Sequence, residues 1–367
     1  MDQERVLIAG LTPETGGMES YVMELYRHID RSRIQFDFLN IHKGQPLAFE
    51  EEILSLGGKV FYYPLLRNDP VGHYLCLFRV FKNTHYKAVY YHASKKVKSV
   101  DVFRFAKHFG VPLRLMHSHS VANYHDPSPF QKLRELKAAR ELPKYVTHYF
   151  CCSQAAGEWM FGDNVDFKVV KNGIVTEKFE FDTGIRNKVR SKEKADNRTV
   201  YGTVARLSDE KNPEFLVDLL SEIHRLQPNS VFWHIGGGEL EQEIRRKIRQ
   251  MGLEESYLML GKRDNVADYL NAMDLFLLPS LYEGFPIVLV EAQTAGLRCL
   301  VSDTVPKEVN ITGNVCFLPL ELPPADWAKK AVELASPYER KSYRSLVTEN
   351  GFDITSRTAD FERLILG

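Results

Sequence analysis

Short apolar runs alternate along the chain with longer segments in which apolar residues recur at helical spacing. The apolar runs that predict strands lie at 6–9, 36–41, 59–63, 88–92 and 113–117, and again at 200–205, 231–235, 257–260 and 275–278. Strands that alternate with helices indicate a parallel sheet covered by helices on both faces. Because the scheme occurs twice, the sequence predicts an α/β protein with two Rossmann-like β/α/β domains.

The chain length supports the same division. A chain of 367 residues is longer than one hydrophobic core usually serves. The change in composition near Gly173 places an N-terminal domain at 1–172 and a C-terminal domain at 173–351. Open α/β sheets bind ligands beyond the carboxyl ends of their strands, so two such domains predict an interdomain cleft.

The segment EGFPIVLVE, residues 283–291, follows an apolar strand and its Pro-Ser stop. Glu283 is therefore expected in a strand-to-helix loop, with Pro286 in the first helical turn and Glu291 further along the helix. A carboxylate in such a loop can accept hydrogen bonds from sugar hydroxyls, beside amides at the positive end of the helix. The alternative is an ordinary acidic residue at a helix start.

A second candidate is the segment ARLSDEKNPE, residues 205–214. It places Arg206 at the end of a strand and Lys211 just before a helix, with Asn212 as the predicted cap. Two cations at a helix N-terminus can bind a diphosphate, although pairing with Asp209 and Glu210 is the alternative. The chain has no Asp-x-Asp pair, so fixed cations rather than a metal are expected to stabilise a departing diphosphate.

Two further candidates lie in the first half. Gly16 and Gly17 precede a predicted helix, where glycine lets the backbone approach a ligand closely. His117 and His119 end a strand, and alternation directs both rings to the same side of the sheet. A histidine on a strand is more often structural than catalytic, and the presence of two at one strand end shifts this expectation modestly toward a functional role.

Composition and charge exclude several classes of protein. The chain is 44% hydrophobic and 26% charged, which excludes a disordered or fibrous protein. No uncharged run is longer than 13 residues, so we expect no membrane-spanning helix. The N-terminus lacks a signal-peptide pattern, and the five cysteines follow no disulfide or zinc spacing. These features predict a cytoplasmic protein.

The charge is unevenly distributed. Residues 79–144 contain 14 Lys and Arg against 4 Asp and Glu, a net charge of +10. Such a stretch favours an anionic partner. The segments 94–109 and 131–144 mix basic and apolar residues, which is typical either of a helix on an anionic membrane or of an exposed helix packed on its sheet. No nucleic-acid-binding motif accompanies the charge, so we expect no nucleic acid partner.

Taken in order, these segments and several others resemble the retaining glycosyltransferases of family 4, which have the GT-B fold, over essentially the whole chain. The matching segments are TGGME at 15–19, MHSHS at 116–120, CCSQAAGEWMFG at 151–162, KNGIV at 171–175, ARLSDEKNPE at 205–214, IGGGEL at 235–240, LGKRDNV at 260–266 and PSLYEGFPIVLVEAQTAG at 279–296. The resemblance implies that a C-terminal helix at about 352–367 packs back on the first domain. It also implies transfer of a hexose-type sugar with retention of configuration and without a metal or other cofactor.

The same resemblance assigns roles to individual residues. Arg206 and Lys211 would contact the donor diphosphate, and His119 would lie beside the sugar, with His117 as the competing choice. The remaining donor-site residues that it implies are Gly16 and Gly17 near the phosphate and acceptor, Gly237, Arg263 and Val266 around the nucleotide, Glu283, Gly284, Phe285, Pro286 and Ile287 around the sugar, and Glu291 at the ribose.

Within the family, the chain looks most like enzymes of bacterial capsule and exopolysaccharide assembly. This implies a UDP-sugar donor and a saccharide acceptor, carried on a lipid at the inner face of the plasma membrane. The basic residues of 94–144 would then contact the membrane. Two alternatives are a sugar-nucleotide epimerase of the same fold and a non-catalytic partner of polysaccharide enzymes that binds a sugar nucleotide.

Overall fold

The computed structural model of the protein describes residues 3–42, 44–94, 99–121, 128–162 and 165–367. The chain forms two compact units. The first contains Met1–Ile174 together with Asp353–Gly367, and the second contains Val175–Phe352. The chain therefore leaves the first unit after Ile174 and returns to it for its last helix.

Each unit is built on one parallel sheet. In the described part of the chain the first sheet has the strand order β3-β2-β1-β4-β5-β6-β7 and the second the order β10-β9-β8-β11-β12-β13. In both sheets the strand order reverses direction beside the strand that comes first in the chain, β1 or β8. This arrangement places ligand sites at the carboxyl edge of the sheet. The strands are β1 Glu4–Ala9, β2 Ile34–Asn40, β3 Val60–Tyr62, β4 Ala88–Ala93, β5 Leu113–Ser118, β6 His148–Cys151, β7 Lys168–Val169, β8 Thr199–Val204, β9 Ser230–Ile235, β10 Tyr257–Gly261, β11 Leu275–Leu278, β12 Cys299–Ser302 and β13 Val315–Leu318.

Helices connect the strands and cover the sheets. They are α1 Gly17–His28, α2 Glu50–Ser55, α3 Pro70–Asn83, α4 Val100–His108, α5 Pro129–Glu141, α6 Gln154–Phe161, α7 Thr183–Lys192, α8 Pro213–Leu226, α9 Glu241–Gln250, α10 Val266–Ala272, α11 Ile287–Thr294, α12 Pro324–Leu334, α13 Arg344–Val347 and α14 Ile354–Leu366. In the first unit α1, α2 and α14 pack on one face of the sheet, and α3, α4 and α6 pack on the other. In the second unit α8, α9 and α12 share one face. Among the described residues, none of the helices is both long and apolar enough to cross a bilayer.

The last helix belongs to the core of the first unit. Phe361 and Ile365 are buried in the cluster that covers one face of the sheet, and the Phe361 ring stacks on Tyr90 with a centroid distance of 5.5 Å. Asp353 caps the helix by accepting a hydrogen bond from the Thr355 amide. The helix returns to the first unit because its buried stripe completes that core.

Three local expectations need correction. Asn212 precedes α8, but its side chain makes no capping hydrogen bond, because its backbone adopts φ +52° in the left-handed region. The charged segment 191–198 also predicts a solvated surface loop from its sequence, but α7 continues to Lys192. Pro286 occupies the cap position before α11 rather than its first turn. Parts of the predicted membrane segment, 95–98 and 122–127, lie outside the described residues.

Candidate functional site

The loop that follows β8 in the second unit holds the two predicted diphosphate cations. Arg206 Nη2 donates to Glu210 Oε1 at 2.5 Å, and the Glu210 side chain is buried. Lys211 lies at the end of a short 3-10 turn, Asp209–Lys211, directly before α8. The sequence had left open whether the two cations pair with Asp209 and Glu210. The structure shows such a pair for Arg206.

Lys211 contacts a different loop. Its Nζ donates to Glu283 Oε1 at 2.6 Å, and Ser280 Oγ donates to the same oxygen at 2.7 Å. Ser280 is itself fixed, because its carbonyl oxygen accepts hydrogen bonds from the hydroxyls of Ser302 and Thr304. The buried Glu283 carboxylate is therefore held by a cation and a hydroxyl, in the loop that follows β11.

The backbone also joins these two loops. The Leu281 amide donates to the Glu210 carbonyl at 2.8 Å. This bond keeps the 3-10 turn of Lys211 beside the segment that carries Glu283. Arg206, Lys211 and Glu283 thus lie in adjoining loops at the carboxyl edge of the second sheet, where open α/β sheets bind ligands.

The glycines after β9 permit a third loop to pack against the Arg206 loop. A Cβ on Gly236 would lie 2.0 Å from the Ala205 carbonyl oxygen, and one on Gly238 would lie 2.3 Å from that of Leu207. The Leu207 amide donates to the Gly237 carbonyl at 3.1 Å. By contrast, the nearest atom to a Cβ on Gly237 would be 3.7 Å away. Only the two outer glycines are required by the packing of this loop.

The other predicted donor residues extend the same edge of the second sheet. Gly236 donates its amide to the Gly261 carbonyl, which ties the end of β10 to the glycine loop. Beyond it, Arg263 Nε donates to the Tyr269 hydroxyl at 3.3 Å, and Val266 begins α10. The residues around α11 are placed as follows: Gly284, Phe285 and Pro286 precede the helix, Ile287 begins it, and Glu291 lies one turn inside it.

The first unit holds the remaining predicted residues. Gly16 is the cap position of α1 and Gly17 its first residue. The preceding loop is fixed by the buried Glu19, whose Oε1 accepts hydrogen bonds from both the amide and the hydroxyl of Thr12. These glycines therefore occupy a defined turn at the carboxyl end of β1.

His117 and His119 project to the same side of the sheet, with ring centroids 4.1 Å apart. The structure adds His92 of β4, which the sequence analysis missed. It is the register partner of His117 across the two parallel strands, and its Nδ1 lies 2.9 Å from His119 Nε2. The strand ending YYHA offered the signal, because it places a histidine at the same edge as the His-Ser-His segment.

His92 and His117 are fully buried, and His119 is partly buried. Burial lowers the pKa of His119 to about 3 and holds the pKa values of His92 and His117 well below their usual range. Burial likewise raises the pKa of the neighbouring Tyr21 to about 12. All three imidazoles are therefore neutral near pH 7, where they act as hydrogen-bonding groups rather than as charges.

Known proteins resemble this chain over a family domain and over most of its length. Residues 185–317, which include Arg206, Lys211 and Glu283, match the family described as glycosyl transferases group 1. EpsF of Bacillus subtilis (strain 168), a protein named as a glycosyltransferase, is 32% identical over 370 residues, covering 96% of this chain and 93% of the relative. The Escherichia coli UDP-Gal:alpha-D-GlcNAc-diphosphoundecaprenol alpha-1,3-galactosyltransferase is 31% identical over 325 residues, covering 84% of this chain and 80% of that enzyme.

The fold has solved counterparts as well. The crystal structure of Anabaena Alr3699/HepE in complex with UDP and glucose matches all of both chains, with a TM-score of 0.77 and 18% identity. This likeness confirms the predicted fold class, GT-B with two Rossmann-like α/β units. The family match, together with the two relatives at 32% and 31% identity, shows that the chain belongs to the group 1 glycosyltransferases.

Proposed function

We propose that the protein transfers a hexose-type sugar from a nucleotide diphosphate donor, a UDP-sugar, to a saccharide hydroxyl, with retention of anomeric configuration and without a metal. The observation that carries this proposal is the joining of Lys211 to Glu283 beside Arg206 at one sheet edge. A diphosphate needs fixed cations, and a sugar needs a buried carboxylate that can accept its hydroxyls. The E. coli relative is named for a UDP-sugar donor, which supports the choice of nucleotide.

Both predicted cations of the donor site are paired with carboxylates of the protein. Arg206 and Lys211 each contact a carboxylate, so a diphosphate must compete with Glu210 and Glu283 for them. As the sugar leaves, negative charge grows on the diphosphate, and nearby cations stabilise that charge more strongly than in the ground state. When the diphosphate contacts Lys211, the Glu283 carboxylate loses part of its contact with that lysine and turns toward the sugar hydroxyls.

Other residues complete the donor site in this proposal. Glu291 accepts the ribose hydroxyls, and the amides near Gly284, Phe285 and Ile287 bind the sugar at the N-terminal end of α11. Gly237 allows close approach of the phosphates, while Arg263 and Val266 border the base. In the first unit, Gly16 and Gly17 line the phosphate and acceptor side, and His119 contacts the sugar, with His117 as the competing residue.

Retention follows in this proposal from attack on the same face that the diphosphate leaves. The bond between the anomeric carbon and the donor phosphate oxygen breaks, and the acceptor oxygen bonds to that carbon. The acceptor proton passes to the departing phosphate oxygen, so no protein carboxylate needs to form a covalent intermediate. Arg206 and Lys211 supply the positive charge that a metal would otherwise provide.

We further propose that the acceptor is a lipid-linked glycan of polysaccharide assembly. The E. coli relative is named for an acceptor carried on diphosphoundecaprenol, and another relative, CapH of Staphylococcus aureus, is named for capsular polysaccharide biosynthesis. An enzyme that meets such an acceptor at the cytoplasmic side must approach an anionic membrane surface. The basic stretch 94–144 is the proposed contact.

The described part of that stretch has the required chemistry on α5. Its large apolar residues Phe130, Leu133 and Leu136 are 68%, 64% and 59% exposed. They recur at spacings of three among Lys132, Arg134, Lys137 and Arg140. A helix that exposes apolar side chains between basic ones suits the boundary between lipid headgroups and acyl chains.

Helix α3, which precedes residues 94–144, has a similar outer surface. Val71, Tyr74, Leu75 and Phe78 are exposed at helical spacing, while Leu77 and Phe81 on the opposite side enter the core. Arg79 and Lys82 are its basic residues. Because α3 lies in the same helical layer as α4, we extend the proposed membrane surface beyond residues 94–144 to include this helix.

The experiment that tests the function uses the purified chain with UDP-, GDP- and ADP-sugars. Thermal shift identifies the nucleotide, since a ligand that binds the native protein raises its Tm. Incubation of the selected donor with a glycan acceptor, with and without EDTA, should give an α- or β-glycoside of unchanged configuration in both cases. Epimerised donor without acceptor would instead indicate the epimerase, binding without turnover would indicate a non-catalytic partner, and a strict need for Mg²⁺ or Mn²⁺ would contradict the metal-free mechanism.

A further inference from the structure

Three imidazoles meet at the carboxyl edge of the first sheet. His92 and His117 are register partners on β4 and β5, and His119 follows His117 on the same side. One ligand nitrogen from each ring can be chosen so that the three lie within 4.8 Å of one another. Strand pairing and alternation thus produce a cluster of neutral nitrogen donors rather than three separate histidines.

Several nitrogens of these three rings have no hydrogen-bond partner among the described residues. His117 Nδ1 is 2.7 Å from the Tyr90 hydroxyl, which fixes that ring and directs Nε2 away from the bond. Among the described residues, His92 Nε2, His117 Nε2 and His119 Nδ1 are buried without hydrogen-bond partners. Buried polar atoms without partners are uncommon in folded proteins and call for a ligand or another explanation.

We propose that His92, His117 and His119 form a binding site for a late first-row divalent metal ion, with Zn²⁺ as the probe. Neutral imidazole is a preferred ligand of Zn²⁺, and three such ligands with one open position make a common zinc coordination set. The Tyr90 hydroxyl beside His117 Nδ1 supplies the outer hydrogen bond that orients a metal-binding ring. This site goes beyond the proposed transfer reaction, which uses no metal.

The geometry requires only a local adjustment. Two nitrogens bound to one tetrahedral zinc lie about 3.4 Å apart, so the widest pair must close by at most about 1.4 Å. The His92 Nδ1 and His119 Nε2 atoms, which lie 2.9 Å apart, must open slightly. The ligand atoms are then these two nitrogens and His117 Nε2, so the ion supplies a partner to His117 Nε2 but not to the other two nitrogens that lack one among the described residues. The proton that the His92 and His119 nitrogens share moves to the other nitrogen of its own ring, so the three imidazoles bind the ion without net proton release.

A bound ion would also affect the sugar site. His119 is partly exposed, whereas His92 and His117 are fully buried, so an ion would enter from the His119 side. The proposed function assigns this same ring to the sugar. Zn²⁺ should therefore inhibit transfer, and the inhibition should be removed by a chelator. Metal binding is nevertheless measured without donor or acceptor, so this proposal and the proposed function can fail independently.

The test uses the full chain after treatment with EDTA and desalting. Titration calorimetry with ZnCl₂ should give one site per chain, and Co²⁺ should give a tetrahedral absorption spectrum without a thiolate charge-transfer band. His92→Gln and His117→Gln should each weaken binding at least ten-fold. Tyr90→Phe should weaken it about 10- to 100-fold while leaving all three ligands in place. His234→Gln removes a buried histidine of the second unit and serves as the matched control with unchanged affinity.

X-ray absorption on the zinc-loaded wild-type chain identifies the zinc ligands without relying on variants that can misfold. Three imidazoles in the zinc coordination shell support the proposal. Fewer than three imidazoles, a sulfur ligand, equal affinity in His92→Gln and the wild type, or no binding by a folded wild-type chain would each overturn it. Circular dichroism establishes that each variant is folded before its affinity is compared.

Discussion

Lys211 Nζ donates to Glu283 Oε1 at 2.6 Å, although 72 positions separate the two residues. The bond joins the loop after β8 to the loop after β11, two strands that are neighbours in the second sheet. The sequence had assigned the lysine to a diphosphate and the glutamate to a sugar. Their contact places the two proposed functions at one position, because a sugar and its diphosphate are adjacent in the donor.

Replacing Lys211 should therefore impair the chemistry more than the fold. Lys211→Met should lower kcat/KM by 10²-fold or more, on the order of 3 kcal/mol of lost transition-state stabilisation. Steady-state kinetics with the selected donor measures the effect. Lys329→Met, which breaks an exposed ion pair with Asp326, is the matched control and should leave the rate unchanged. Near wild-type turnover by Lys211→Met would exclude the proposed role.

A double-mutant cycle extends this prediction. Glu283→Gln keeps an acceptor for Ser280 but removes the charge that Lys211 contacts. If the two residues act on one donor, the loss in the double variant should be smaller than the sum of the single losses in free energy. Additive losses would mean that Lys211 and Glu283 affect activity independently, which would contradict their joint action on one donor.

The sequence predicted the fold class and the loops that hold Arg206, Lys211 and Glu283, because these signals are local. The strands before Arg206 and Glu283 end at Val204 and Leu278, and a carboxyl edge follows from any parallel sheet. The partners of these residues could not be predicted. Whether Lys211 pairs with a neighbour in its own loop or with Glu283 depends on the order of β8 and β11 in the sheet, which no local pattern encodes.

The glycine loop gives a prediction in which two adjacent substitutions should have different effects. Gly238→Ala places a methyl group against the Leu207 carbonyl oxygen, so it should lower the Tm and displace the Arg206 loop. Gly237→Ala has room for its methyl group in the ligand-free protein. It should leave the Tm unchanged but weaken donor binding, because the proposal places the phosphates beside it. Thermal shift without and with the donor nucleotide measures both effects.

The two variants serve as controls for each other. An equal loss of donor affinity in both, with no loss of Tm in either, would contradict the packing argument. Unchanged donor affinity in Gly237→Ala would remove Gly237 from the proposed site.

His92 shows a second limit of sequence reasoning. The histidines at 117 and 119 are two positions apart in sequence, and their common side follows from strand alternation alone. His92 joins them only because β4 pairs with β5 in one particular register, which matches His92 with His117. A shift of one residue would turn the His92 side chain to the other face of the sheet. The cluster is therefore a property of the sheet and not of either strand.

The proposed membrane surface predicts binding that depends on both charge and apolar contact. The chain should sediment with vesicles that contain anionic lipid, and salt should weaken the binding, because each basic residue near the surface contributes roughly 1 kcal/mol that salt screens. Phe130→Ser with Leu133→Ser should reduce binding without changing the Tm, since both side chains are exposed. Leu226→Ser with Met251→Ser alters exposed residues of the second unit and is the matched control.

The same assay separates the helices. Val71→Ser with Leu75→Ser tests α3 independently of α5. Loss of binding from both pairs would support one continuous surface, and loss from the α5 pair alone would restrict the contact to the basic stretch. Binding that is absent, or that does not respond to salt, would mean that these helices are ordinary exposed elements.

His234 predicts how acid affects the second unit. Its Nδ1 lies 2.8 Å from the Tyr257 hydroxyl and its Nε2 lies 3.3 Å from the Ala205 carbonyl, so the neutral ring is satisfied inside the sheet. Burial lowers the pKa of His234 to about 4. Because the unfolded chain takes up this proton near pH 6.5, the stability is fully present above pH 6.5 and is lost as the pH falls toward 4.

The loss attributable to this ring should reach roughly 3 kcal/mol, at about 1.4 kcal/mol for each unit of pKa difference. Urea unfolding at several pH values measures it, followed by tryptophan fluorescence in a Trp159→Phe background that leaves Trp233 and Trp327 of the second unit as reporters. His234→Gln can keep one donor and one acceptor without titrating, so its stability should fall less between pH 6.5 and 4. Parallel pH profiles for the two proteins would show that the His234 ring does not carry this acid sensitivity.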